Sequence, residues 1–197
     1  MTILKRDDLY SLEDYAAIRP EFRTRVMNHK KMRQVPIGPN ATLYFEDQLT
    51  MQYQIQEMLR IERIFESEAI NEELETYNPL IPDGHNWKAT FMLEYTDVEE
   101  RQQALKKLHG IEKTIWVKIG DCEPVYPIAN EDMERETEDK TSAVHFLRFE
   151  FTPEMVQKAK DNAVISMGIS HKYYNEQIDV LENPVRESLV NDFSEPN

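Results

Sequence analysis

Apolar and polar positions recur along this chain in two periods, and each change of period marks an element. Residues 50–66, TMQYQIQEMLRIERIFE, carry the clearest helical period. At about 100° per residue, Met51, Ile55, Met58, Leu59, Ile61 and Phe65 fill one arc. Upstream, Ser11 is placed to cap a short helix, SLEDYAAIR, with Asp14 three residues on. Pro20 then opens a second helix at its first turn, where a missing N–H costs nothing. That helix runs to about Arg33, with Phe22, Val26 and His29 on one side, and VPIGPN breaks it. INEELETY reads as a short helix ending in the turn-rich NPLIPDG. DVEERQQALKKLHG reads as a helix closed by Gly110. TPEMVQKAKD has Thr152 as cap and Pro153 in the first position. A last helix begins near Pro184.

Period two marks the strands. ATLYFED alternates Leu43 and Phe45 with Tyr44 and Glu46. WKATFMLEY puts Trp87, Ala89, Phe91, Leu93 and Tyr95 on one face and Lys88, Thr90, Met92 and Glu94 on the other, a half-buried antiparallel pattern. TIWVKIG and NAVISMGISH are further strands. AVHFLRFEF is apolar on both faces, which predicts an interior strand. Residues 130–140, NEDMERETEDK, are dense in acid and weakly periodic, and read as a mobile solvated loop. The expected fold is α+β: a mostly antiparallel sheet with helices on one or both faces. One domain is expected over 1–197, with a helical N-terminal region over 1–36 and an α+β body over 37–197.

Composition narrows the function classes. The 197 residues are 40% hydrophobic, which suits a sizeable core. Cys122 is the single cysteine, so an intrachain disulfide, a thiol redox pair and a zinc ribbon are excluded. No apolar run reaches the length of a membrane span, and MTILKRDDLY lacks a signal peptide's apolar core. A cytoplasmic location is the plain expectation. The net charge of −14 argues against nucleic acid and membrane as partners. The charge is uneven. Residues 19–33 carry +5, leaving −19 for the rest. Arg19, Arg23, Arg25, His29 and Lys30 are therefore candidates for binding an anion or an acidic protein partner. Pairing with the chain's own carboxylates is the simpler and favoured reading.

Glu62 falls near the centre of the apolar arc of residues 50–66, with Gln54 towards its side. A carboxylate in a dry core needs a partner. Arg148 on the two-sided strand, or Arg25 on the basic helix, is the favoured one, as a buried bidentate pair. A metal is the alternative. None of the five histidines has a glutamate three or four residues before it, and neither HExxH nor His-x-His occurs. A metal site would have to be assembled from Glu62, His145 and His171, with His29 or Glu57 in reserve; two histidines and a carboxylate suit non-haem iron. His145, beside Leu147, Phe149 and Phe151, is more ordinarily a hydrogen-bonded core residue. His171 ends a strand, where function concentrates. Glu57 and Arg60 are spaced to pair on the exposed side. No nucleophile motif and no phosphate loop is present.

Three stretches together are specific: RPEFRTRVMNHKKMRQVPIGPNATLYFEDQLTMQYQIQEMLRIERIFE, YNPLIPDGHNWKATFMLEY and VHFLRFEFTPEMVQKAKDNAVISMGISHKYY. They resemble an uncharacterised bacterial family, domain of unknown function number three-five-zero-one, over nearly the whole chain. Genes of that family tend to lie beside rubrerythrin-like proteins and a cysteine-rich iron–sulfur oxidoreductase component. The resemblance implies an accessory or binding protein near iron or peroxide metabolism, with a redox protein partner, and carries no assigned activity. Where the family leads one to expect Asp–His–Pro after the glycine strand, this chain has Ser170–His171–Lys172. The rival class is a metal-dependent, non-haem-iron enzyme. Convergence of Glu62, His145 and His171 would favour it.

Overall fold

The computed structural model describes residues 3–131, 135 and 140–193. Most of the acidic stretch 130–140, read above as a loop, lies outside them. Helix α1 (Leu12–Lys31) is one continuous helix, not two. The Ser11 hydroxyl accepts from the Asp14 amide at 3.0 Å, as its position predicted. Pro20 sits inside, where it deprives the Ala16 carbonyl of its helical donor. Ala16 and Pro20 are both exposed, so water can serve that carbonyl. Tyr15, Phe22 and Val26 are buried on either side of the proline along one stripe, and this burial holds the two halves in line.

Strands β1 (Gln34–Pro36), β2 (Ala41–Phe45), β3 (Asn86–Leu93), β5 (Ile128–Ala129) and β6 (Val144–Glu150) form an antiparallel sheet in the order β1-β2-β3-β6-β5. A second antiparallel sheet has β4 (Ile115–Ile119), β7 (Ile165–His171) and β8 (Tyr174–Ile178) in the order β4-β7-β8. The fold is thus α+β with antiparallel sheets, as the two periods predict. Helices α2 (Gln48–Glu62), α3 (Ser67–Tyr77), α4 (Val98–Lys107), α5 (Pro153–Lys160) and α6 (Val185–Val190) are the other α-helices among the described residues.

The main core lies between the sheets. Leu43, Phe45, Trp87, Ala89, Phe91, Leu147 and Phe149 from the inner face of the five-stranded sheet meet Ile115, Val117, Ile165, Met167 and Ile169 of the other. The Trp87 indole stacks on Phe193 at 4.9 Å and donates to the Leu189 carbonyl at 2.9 Å, which anchors α6 to β3. A separate cluster of Leu4, Met51, Ile55, Leu59, Leu74 and Ile81 joins α2 to α3.

Helix α2 corrects the expectation about Glu62. The helix stops at Glu62, with Arg63 in the left-handed region at φ 56°. Met51, Ile55 and Leu59 are buried, but Ile61 and Phe65 are 66% and 70% exposed, and Glu62 is exposed. Glu62 does lie at the angle of the buried stripe. It occupies the last turn, beyond the neighbours that cover that stripe. Angular position buries a residue only where another element stands opposite. Polar residues that do enter the α2 packing are Thr50 and Gln56, both fully buried, and the Gln56 amide brackets the Tyr10 backbone N–H and carbonyl.

A trough over the outer face of the five-stranded sheet

The outer face of this sheet is only half covered. Lys88, Thr90 and Met92 of β3 stand beside Arg148, Phe146 and Val144 of β6, with Tyr44 of β2 next to Thr90. The apolar members Tyr44, Met92, Val144 and Phe146 are partly exposed, unlike the inner face. Opposite them stand Met51 and Gln54 of α2, Tyr77 at the end of α3, and Leu80 in the turn that follows. Between the two layers runs a trough of two cavities, about 510 Å³ and about 450 Å³, which share Tyr77, Leu80 and Phe146 as walls. Apolar outward residues on a β-strand need a cover, and here the cover stands off the sheet.

Each cavity has a charged group. In the larger, the Glu46 carboxylate is 8% exposed. One oxygen accepts the Thr50 hydroxyl at 2.7 Å and the other the Thr90 hydroxyl at 2.8 Å. Among the described residues, no Lys, Arg or His forms an ion pair with it. Each oxygen keeps a lone pair beyond the bond it makes. Lys30 lines the same cavity with its ammonium 5.7 Å from the Tyr53 ring centroid. In the smaller, Lys88 Nζ donates to the Pro79 and Ile81 carbonyls at 2.6 and 2.9 Å. Burial holds its pKa below the usual lysine range, with Arg148 adding to the effect and Asp83 opposing it. Arg148 itself is bidentate to Glu131 at 2.8 and 2.7 Å and also pairs with Glu150. The Arg135 guanidinium lies 4.6 Å from the Phe146 ring centroid.

Beside the trough, with Arg33 also in the wall of the larger cavity, lies a buried polar cluster. Arg33 is 2% exposed. Nε donates to the Phe45 carbonyl, Nη2 to the Glu46 carbonyl, and Nη1 to Ser188. Nη1 and Nη2 together fork Asp192 at 3.2 and 2.5 Å. Asp47 lies 3.5 Å from Arg33 Nε and 2.5 Å from His29 Nε2, and it caps α2 through the Thr50 amide. Burial pushes Asp47 up, but the His29 bond, the Arg33 charge and the Thr50 amide together take its pKa below the usual aspartate value. Burial raises Asp192 to about 6 against the pull of Arg33.

The structure scatters the residues picked out from sequence. His145 is fully buried, with its ring against the Asn130 amide, the Thr141 hydroxyl and the Ser142 carbonyl. His171 Nε2 contacts the His109 carbonyl and its Nδ1 accepts from the Tyr173 amide. Glu62 is at the surface. Among the described residues, no three His, Cys, Asp or Glu side chains are grouped as a metal would require. Neither expected arginine forks Glu62: Arg148 holds Glu131 and Glu150, and Arg25 lies 5.8 Å from the Phe22 ring centroid. Glu57 pairs with Arg19 at 2.7 and 2.8 Å and accepts the Tyr15 hydroxyl, rather than facing Arg60 on an open side. Of the basic stretch, Arg19, His29 and Arg33 are thus matched by the chain's own carboxylates, Lys30 sits at the trough, and Arg23 and Arg25 are exposed. Glu46 and Thr90 were not singled out from sequence. The signal for the trough was the two-sided apolar pattern of AVHFLRFEF, which marks an outer face that something must cover.

A family model described as "Protein of unknown function (DUF3501)" matches residues 3–193. The chain belongs to the DUF3501 family. It is also similar to a solved structure described as a novel protein of unknown function from Burkholderia pseudomallei K96243. The two are 47% identical, over 98% of this chain and 100% of that one, with a TM-score of 0.92. No curated protein matches the chain. Among the described residues, no helix is long and apolar enough to cross a membrane.

Proposed function

We propose that this DUF3501 protein is a binding protein whose ligand is a small, largely apolar molecule lying in the trough. One observation carries the reading. Apolar side chains on the outer face of the central strands are left partly open under a roof of α2, α3 and Leu80, with a few polar groups at fixed positions. Ligand sites have this character: apolar walls, sparse oriented polar groups and several hundred Å³ of space. The accessory role beside an iron or peroxide redox system draws on family resemblance. Within it, the exposed Arg23 and Arg25 on α1 are the surface for an acidic redox partner. The metal-enzyme alternative has lost its motive, because the buried carboxylate it began from is at the surface.

An uncharged solvatochromic dye such as Nile red tests the binding reading. One saturable site is expected in the parent. Met92→Trp, from the floor, and Leu80→Trp, from the roof, each fill the trough and are expected to abolish it. Dye binding unchanged in both variants, or absent from the parent, overturns the reading.

A further inference from the structure

We infer that the ligand of the trough is an organic amine, bound as its ammonium by Glu46 with its apolar body along Met92 and Phe146. This rests on the binding reading above and names the ligand's chemistry.

Glu46 is a buried carboxylate held by two neutral hydroxyl donors, Thr50 and Thr90. Hydroxyls satisfy part of its hydrogen-bonding capacity and none of its charge. Its neighbour Asp47 has Arg33 and His29, yet neither of them reaches the Glu46 carboxylate. Arg33 touches Glu46 only through the backbone carbonyl, and its remaining donors are spent on Phe45, Ser188 and Asp192. A carboxylate so placed at the N-terminus of α2 is favoured by the helix dipole, which explains why it is tolerated there. It also faces a cavity that Lys30 and Arg33 line as well, with the rings of Tyr44 and Tyr77 as aromatic walls; the Arg135 guanidinium already lies 4.6 Å from the Phe146 centroid. An ammonium is the group that gains from both features, through a charge-assisted hydrogen bond and the negative faces of the rings. The chain's net charge of −14 draws cations towards it and repels anions. Lys88 at the other cavity sets the direction: a cation is disfavoured there, so the nitrogen enters the Glu46 end and the body points towards Leu80 and Lys88.

Calorimetric titration with three probes of one shape tests this: 3-phenylpropan-1-amine, 3-phenylpropan-1-ol and 3-phenylpropanoate. The parent is expected to bind the amine about tenfold more tightly than the alcohol, and the acid most weakly. Glu46→Gln keeps an acceptor for one threonine hydroxyl, turns an NH2 donor to the other and removes the charge, so it is expected to erase the gap between amine and alcohol. Glu46→Asp is expected to narrow the gap and keep its sign, which covers the case in which the glutamine variant fails to fold. Lys30→Met is expected to leave the gap or widen it. Equal binding of amine and alcohol by the parent, tightest binding of the acid, or a gap that survives Glu46→Gln overturns the inference. Failure of all three probes while Nile red still occupies the trough also overturns it and leaves the binding reading standing. Failure of the dye as well removes both.

Discussion

Glu46 and Asp47 are adjacent in sequence, both buried and both acidic, and they end in opposite kinds of surroundings. Asp47 turns towards α1 and the C-terminal segment, where Arg33, His29 and Asp192 close a cluster of matched charges. Glu46 turns towards the outer face of the sheet, where two hydroxyls hold it at the floor of an open trough. Successive residues leaving a strand point to opposite sides. The contrast teaches that burial alone does not say how a carboxylate's charge is answered. Asp47 has Arg33 and His29 within ion-pair distance, and among the described residues Glu46 has hydroxyl partners alone.

The strongest way to break this comparison is to remove the countercharge. Arg33→Met orphans Asp192 and takes one of two basic partners from Asp47, and is expected to cost about 3–5 kcal/mol in denaturant unfolding. Glu46→Gln, on the trough side, is expected to cost under about 1 kcal/mol, because no cation is orphaned. Equal losses would show that the two regions do not differ in the way described.

A pH series sharpens the same contrast. Asp192 has a folded pKa of about 6, above the ~3.9 of an unfolded aspartate, so the folded state holds a proton that the unfolded chain releases between those values. Its contribution to stability is whole below about pH 4 and is lost as pH rises through about 6, by roughly 2–3 kcal/mol. Asp47, whose pKa is lowered, works in the other direction: its contribution is present above about pH 4 and lost as pH falls further. Unfolding curves of the parent and Asp192→Asn at about pH 4, 5, 6 and 7 are expected to converge or cross as pH rises. Parallel curves would remove Asp192 as the titrating group. The smallest effect is expected at Glu62. Glu62→Ala should move the unfolding free energy by no more than about 0.5 kcal/mol, since the side chain is at the surface. A loss of several kcal/mol there would restore the buried-carboxylate reading drawn from the helical period.

Much of the fold was legible because it depends on local periods. The alternation of Trp87, Ala89, Phe91 and Leu93 identified a buried strand face, and Thr152 caps its helix as its position suggests. The misreadings share one cause. Local rules make Pro20 a helix start because they penalise an interior proline, whereas packing of Tyr15 and Val26 across it holds one helix together. Strands β1, β5 and β8 are short or polar edges, defined by the partner they pair with rather than by their own pattern. The site was less legible. The pairings Arg19–Glu57 and Arg33–Asp192 join residues 38 and 159 positions apart, and no spacing rule reaches that far.

By itself, then, the sequence determined which faces of its strands and helices are apolar and where most helices begin, because these follow from residue types within a few positions of one another, and it set the chain's excess of acid by composition alone. The tertiary structure decided which apolar stripe is covered along its full length, which buried acid finds a cation, and that the outer face of the central sheet stands away from its helical roof. Those outcomes depend on what packs opposite each residue: for Glu46 and Asp47 that neighbour comes from elsewhere in the chain, whereas Glu62 is left exposed.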